Sequence, residues 1–180
     1  MKIYSIRHGQ TTGDIEGRFG GTYDDNLSDK GVKQANELAE KLKNFGIEII
    51  YSSPYFRARE TAEILAKKLN ISVRIVNDLR ERDVCGQLSG KLKSDYPKEV
   101  ELLKDCHYTF QGGEEYLPFK KRVLKSINDI GKAKYQTVAF VFHGGPIKCF
   151  FREVFGKEIE PGDCEVLEIE YQNNRYKLTC

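Results

Sequence analysis

The chain has 180 residues, enough for one compact domain (1–180) that buries a core without help from disulfides or metals. A formal net charge of only +2 is too balanced to mark a nucleic-acid or membrane surface, and no apolar run is long enough to span a bilayer. The five cysteines, Cys85, Cys106, Cys149, Cys164 and Cys180, are scattered, odd in number and without a Cys-x-x-Cys pair, which argues against a disulfide framework and a zinc site and fits a reducing cytoplasm.

In chain order, residues 2–6 read as a short strand whose apolar stretch is broken too soon for a signal peptide. A polar, glycine-rich loop over 9–26 follows. The spacing predicts a helix over 29–45, with Val32, Ala35, Leu38, Ala39 and Leu42 as its apolar stripe and Gly46 as its stop. Residues 48–51 form a buried-strand candidate. Ser53 and Pro54 have the chemistry of a helix start, with Ser as N-cap and Pro in the first position. Ala58, Ala62, Leu65 and Leu69 give that helix its core face.

Residues 72–76 read as a further strand. The segment 77–113 is irregular, apart from a short helix near 97–105. A longer helix is expected over 115–130, with Phe119, Val123, Ile127 and Ile130 inward and Gly131 as its stop. Residues 137–142 are nearly all apolar, as at the centre of a parallel sheet. His143-Gly144-Gly145-Pro146 then turns into a helix reaching about Phe155. Residues 165–171 and 175–179 form a hairpin around Asn173-Asn174. This alternation predicts a three-layer α/β/α sandwich with a mostly parallel central sheet and an antiparallel strand near the C-terminus.

In such sheets ligands bind beyond the carboxyl ends of the strands. The first strand delivers Arg7-His8-Gly9 there. The second delivers Ser52-Ser53 and a helix whose first turn carries Arg57. The central strand delivers His143-Gly144-Gly145. Two of the chain's three histidines and two arginines therefore converge from separate segments. Guanidinium groups match phosphate oxygens, glycines let backbone N–H groups approach, and a histidine nitrogen can attack phosphorus. Any one of these residues alone reads as an ordinary polar group at a strand end; the four together point to a phosphate pocket.

Arg7-His8-Gly9-Gln10-Thr11 resembles the signature of the histidine phosphatase superfamily, the phosphoglycerate mutase-like enzymes. Leu27-Ser28-Asp29-Lys30-Gly31 with Gln34-Ala35 resembles a second block of that family. Ser52-Ser53-Pro54-Tyr55-Phe56-Arg57-Ala58 with Thr61-Ala62 resembles a third. Leu79-Arg80-Glu81, Gly112-Gly113-Glu114 and Phe142-His143-Gly144-Gly145 complete the series in order. The resemblance implies His8 as nucleophile, passing through a phosphohistidine, with Arg7, Arg57, His143 and the Gly144 N–H on the phosphoryl oxygens. It implies Glu81 as general acid and then base, with Asp83 as the fallback. Arg80 or Arg82, turned inward, would oppose protonation of Glu81. Read without the resemblance, 79–83 is a solvated charged loop.

The pattern departs from the family at Gly13 and Asp14, where many relatives carry Trp-Asn. Gly13 is expected to open the pocket mouth. Asp14 stands at a substrate-binding position, and an ionised carboxylate there would repel phosphate and move activity toward acid pH. Protonation, a pair with Arg18, a side chain turned away, or a bond to nearby backbone would each relieve that. Asp24-Asp25-Asn26 lacks the spacing of a calcium loop and reads as turn chemistry. His107 reads as a surface histidine, and Lys148 and Arg152 as a solvated face.

The resulting expectation is a phosphatase acting on a small phosphorylated substrate, without cofactor or metal and without nucleic-acid or membrane partners. A phosphomutase on the same pocket is the nearest alternative; a non-catalytic phospholigand-binding module is the third. A homodimer is left open.

Overall fold

The structure is a computed structural model and describes residues 1–179. Six strands form one mixed sheet: β1 (Lys2–Arg7), β2 (Ile49–Ser52), β3 (Ser72–Ile75), β4 (Thr137–Phe142), β5 (Val166–Gln172) and β6 (Arg175–Leu178). Their order across the sheet is β3-β2-β4-β1-β5-β6. The first four in that order are parallel, while β5 runs antiparallel to β1 and β6 antiparallel to β5. The closing hairpin turns at Asn173 and Asn174, both with positive φ, a conformation asparagine tolerates better than most residues.

Period-two alternation sorts the central strands into two cores. Ile3, Ile49, Tyr51, Val138, Phe140 and Phe142 pack on one face with α5 (Tyr116–Gly131) and α6 (Gly144–Phe155). Tyr4, Ile6, Ile50, Ala139 and Val141 pack on the other with α2 (Asp29–Leu42) and α3 (Phe56–Leu69). This is the expected three-layer sandwich. Among the described residues no helix is long and apolar enough to cross a membrane.

Several local expectations are corrected. Helix α2 ends at Leu42, and Val32 is 41% exposed because Gly31 takes the buried place in the first turn, against the Gln10 carbonyl. Helix α3 starts at Phe56, not at Ser53-Pro54; its first N–H is capped from a distance by Asp24 Oδ1 at 2.7 Å. Gly131 is the last residue of α5 rather than its stop, buried against the Tyr171 ring. The segment after β3 holds three single 3₁₀ turns, and its helix α4 spans only Pro97–Leu102. A five-residue helix, α1 (Thr12–Glu16), sits inside the glycine-rich loop.

Candidate active site

Register builds the site. Arg7 pairs with Phe142 across β1 and β4, and Ser52 pairs with Val141 across β2 and β4. The residues that follow, His8, His143 and Ser53, therefore leave the sheet at one level. The His8 and His143 rings meet edge to face at 5.1 Å between centroids. Both are buried, as is Arg57, which the first turn of α3 carries in.

The loop bearing His8 is anchored on both neighbouring helices. The Gly9 N–H donates to Thr61 Oγ1 on α3 at 3.2 Å, and the Gln10 N–H donates to Gln34 Oε1 on α2 at 2.9 Å. Gln10 also presses on Gly31, where an added Cβ would lie 2.0 Å from its carbonyl oxygen. Ser28 Oγ donates to Gln10 Oε1 at 3.0 Å, so Ser28, Gly31 and Gln34 of one sequence block and Thr61 of the next hold one loop in place.

Hydrogen bonds assign both histidine tautomers. His8 Nδ1 lies 2.8 Å from the Gly9 carbonyl oxygen, which can only accept, so Nδ1 carries the proton and Nε2 the lone pair. Burial, and then the charge of Arg57, lower the His8 pKa to about 3, so the ring is neutral at physiological pH. Arg57 Nε donates to His143 Nδ1 at 3.2 Å, so His143 Nε2 carries its proton and donates to Ser53 Oγ at 2.7 Å. Burial and Arg57 also hold the His143 pKa well below the ordinary value.

The two arginines are held by acceptors on one side. Arg57 Nη1 donates to the Tyr23 carbonyl and to Asp25 Oδ1, at 2.7 and 3.2 Å. Arg7 Nη1 donates to the Pro161 carbonyl at 2.9 Å, and its Nη2 lies 3.5 Å from Asp163 Oδ1. Among the described residues Arg7 Nε finds no hydrogen-bond partner; it is buried, next to Gly144 at the N-terminus of α6. A buried guanidinium N–H left open beside a helix N-terminus is a place for an anionic oxygen.

Glu81 borders the same cavity as Arg7, His8, Arg57 and Gly144, a space of about 740 Å³. Its Oε2 accepts from the Gly145 N–H at 3.1 Å and its Oε1 from the Arg82 N–H at 2.8 Å. The segment is not a solvated loop. Arg82 is buried, donating to the carbonyls of Glu114 and Tyr108 at 2.9 and 3.0 Å and also to that of Cys106. Arg80 pairs with Asp78 and Glu114. Neither guanidinium is spent on the Glu81 carboxylate. Asp83 Oδ1 accepts from the Gly86 N–H and so holds a turn.

Gly13 does not open the mouth: a Cβ there would meet Asp25 Oδ2 at 2.5 Å and Tyr23 Cε1 at 3.0 Å, so those side chains fill the space. Asp14 is exposed and borders the cavity, and its Oδ2 accepts from the Thr11 N–H in a reciprocal cap of α1. Arg18 pairs with Glu16 instead. Lys148 and Arg152 line the outer cavity, paired with Glu160 and Glu158. His107 is exposed. Asp25, expected as turn chemistry, accepts from Arg57, and Ser53, expected both at this strand end and as a helix cap, faces His143; of the two, Asp25 is the site residue that only the folded chain reveals.

Two neutral histidines and two arginines at the carboxyl edge of a mostly parallel sheet define a phosphate-handling α/β enzyme. The chain matches the histidine phosphatase superfamily (branch 1) over residues 3–180 and belongs to that superfamily, whose members act on phosphomonoesters without a metal. Phosphoserine phosphatase 1 of Hydrogenobacter thermophilus is 30% identical over 165 residues, covering 88% of this chain and 78% of the relative. Phosphoglycerate mutase-like protein 4 of Arabidopsis thaliana is 32% identical over 163 residues, covering 83% and 69%. The solved structure of Bacillus stearothermophilus YhfR superposes with a TM-score of 0.90 at 26% identity, over 98% of this chain and 94% of that one.

Proposed function

We propose that the protein is a phosphatase that hydrolyses a small phosphomonoester through a phosphohistidine on His8. The observation that carries this is the His8 tautomer: a neutral ring with its lone pair on Nε2, beside Arg57 and the open Arg7 Nε. Arg7, Arg57 and the Gly144 N–H hold the equatorial phosphoryl oxygens. His143 joins them when Arg57 turns to the phosphate and the Ser53 hydroxyl donates to Nε2, which moves the ring proton to Nδ1.

In the first half-reaction His8 Nε2 forms a bond to phosphorus as the bond to the ester oxygen breaks, and Glu81 gives that oxygen a proton. The alcohol departs. In the second, Glu81 takes a proton from water as its oxygen bonds to phosphorus and the N–P bond breaks. Phosphate leaves, with His8 neutral and Glu81 protonated again. Asp14 stands at the substrate-binding position on the rim of this cavity.

A mutase would return the phosphoryl group to its substrate and needs water excluded. Here the outer cavity wall includes the exposed Glu160 and Lys93, so the cavity opens toward solvent, which supports hydrolysis. The work is done by one domain over 1–180. The free thiols of Cys85, Cys106, Cys149 and Cys164 fit a cytoplasmic setting; Cys180 lies outside the described residues.

The test is a panel of phosphomonoesters with excess chelator, comparing wild type with His8→Ala. Turnover that survives chelation and is abolished in His8→Ala is expected. Chelator-sensitive turnover, or unchanged activity in His8→Ala, overturns the mechanism. An isomerised phosphoester in place of free phosphate selects the mutase.

A further inference from the structure

The Gly112-Gly113-Glu114 block takes no part in the chemistry above, yet it leads to the backbone of the general acid. Glu114 ends the irregular segment just before α5, and its N–H donates to the Asp83 carbonyl at 2.6 Å. Gly113 lets the chain come this close, since a Cβ there would lie 2.5 Å from that same carbonyl oxygen. Two turns into α5 stands Arg122, whose side chain is 10% exposed.

All five N–H groups of the Arg122 guanidinium are taken. Nε and one Nη2 hydrogen go to the two carboxylate oxygens of Glu114, at 2.7 and 2.5 Å. Nη1 donates to the carbonyls of Asp78 and Arg80, at 2.8 and 2.9 Å. The remaining Nη2 hydrogen goes to the carbonyl of Glu81 itself, at 3.1 Å. Three carbonyls in a four-residue stretch are thus tied to one planar group, and a carboxylate fixes the plane of that group.

We propose that Arg122, oriented by Glu114, is a positioning residue for Glu81: it fixes the 78–81 backbone so that the carboxyl stands over the ester oxygen. This rests on Glu81 being the general acid. A lysine at 122 keeps the charge but is a single point, unable to serve three carbonyls and a carboxylate together. The side chain of Glu81 would then swing on a loosened backbone, and a displacement of about 1 Å can cost up to about 10²-fold in rate.

The experiment reads kcat/KM, which for a hydrolase covers the steps through departure of the alcohol. Alkyl phosphates, whose leaving group needs a proton, are compared with nitrophenyl phosphate, whose leaving group does not. Wild type, Glu81→Gln, Arg122→Lys, Glu114→Gln and the double variant Glu81→Gln/Arg122→Lys are measured, with thermal unfolding of each. Glu81→Gln is expected to lose about 10²- to 10⁴-fold on the alkyl ester and far less on the aryl ester. Arg122→Lys should lose about 10- to 10²-fold on the alkyl ester and stay within about threefold on the aryl ester, with Glu114→Gln following the same pattern more weakly. Adding Arg122→Lys to Glu81→Gln should cost almost nothing more on the alkyl ester, because the arginine acts through the missing acid.

Equal losses on both esters in Arg122→Lys and Glu114→Gln, or additive losses in the double variant, overturn the positioning role and leave Glu81 in place. Equal losses on both esters in Glu81→Gln overturn the reading of Glu81, and the positioning role with it. Should Arg122→Lys fail to fold, Glu114→Gln alone decides between the two patterns.

Discussion

Arg57 Nη1 and Asp25 Oδ1 stand 3.2 Å apart with their side chains only 5% and 6% exposed, so the site contains a desolvated ion pair. Asp25 Oδ2 also accepts the Gly13 N–H at 3.0 Å, tying the loop after His8 to α3. Removing one partner of such a pair strands the other charge, at a cost of about 3–5 kcal/mol. Asp25→Ala is therefore expected to lower unfolding stability by that amount in urea titrations and to weaken phosphate binding, since Arg57 is no longer aimed. Asp25→Asn, which can still accept from Gly13, should cost less. A change below about 1 kcal/mol in Asp25→Ala would show that Arg57 is held by other contacts.

The two buried histidines make stability depend on pH. In the unfolded chain an imidazole titrates near 6.5, whereas burial and Arg57 hold His8 at about 3 and His143 well below its usual value. Below pH 6.5 the unfolded chain binds protons that the folded chain refuses. Stability is thus complete above about pH 6.5 and falls as pH drops toward 3, by up to about 1.4 kcal/mol per pH unit for each ring. Urea unfolding of wild type and His8→Gln across this range should give a shallower slope for the variant. Equal slopes would mean that His8 is protonated in the folded state. By the same reasoning the acid limb of kcat/KM should not fall at pH 6.5.

Two glycines separate catalysis from folding. At Gly145 an added Cβ would lie 2.1 Å from Glu81 Oε1, the far end of a side chain that can swing aside. At Gly31 it would lie 2.0 Å from the Gln10 carbonyl oxygen, which is backbone and cannot. Gly145→Ala is expected to keep its melting temperature within a few degrees and lose about 10²-fold in kcat/KM on alkyl phosphates. Gly31→Ala should lose several degrees or fail to fold. Full activity in Gly145→Ala would show that Glu81 works from another position.

How much of this was legible in the sequence follows from how local each cause is. Helices α2, α3, α5 and α6 were readable because their apolar residues recur at helical spacing, and β4 because an all-apolar run has to lie inside a sheet. Reasoning from strand ends reached His8, Arg57 and His143, since parallel register brings successive strand ends to one level. Asp25 was hidden because its partner lies 32 residues away and a run of Asp-Asp-Asn reads as a turn. Ser53 was legible at its strand end but also read as a cap, because Ser-Pro is a common helix start; its hydroxyl faces His143. Arg122 carried no local signal: on α5 it is one more polar residue, and its acceptors are carbonyls, which every sequence has.

Asp14 carries an exposed carboxylate at the cavity mouth on the His8 loop. Its carboxylate is exposed and already accepts the Thr11 N–H, a bond that an asparagine oxygen can also accept. Asp14→Asn should therefore leave stability nearly unchanged and remove only a screened repulsion toward an incoming phosphate dianion. The expected effect is a few-fold fall in KM near 10 mM salt, where the Debye length is about 30 Å, and almost none near 1 M, where it is about 3 Å. Steady-state kinetics at the two salt concentrations check this. A salt-independent gain would mean that the new amide bonds the phosphate directly, and a loss of activity would assign the carboxylate a role in the reaction itself.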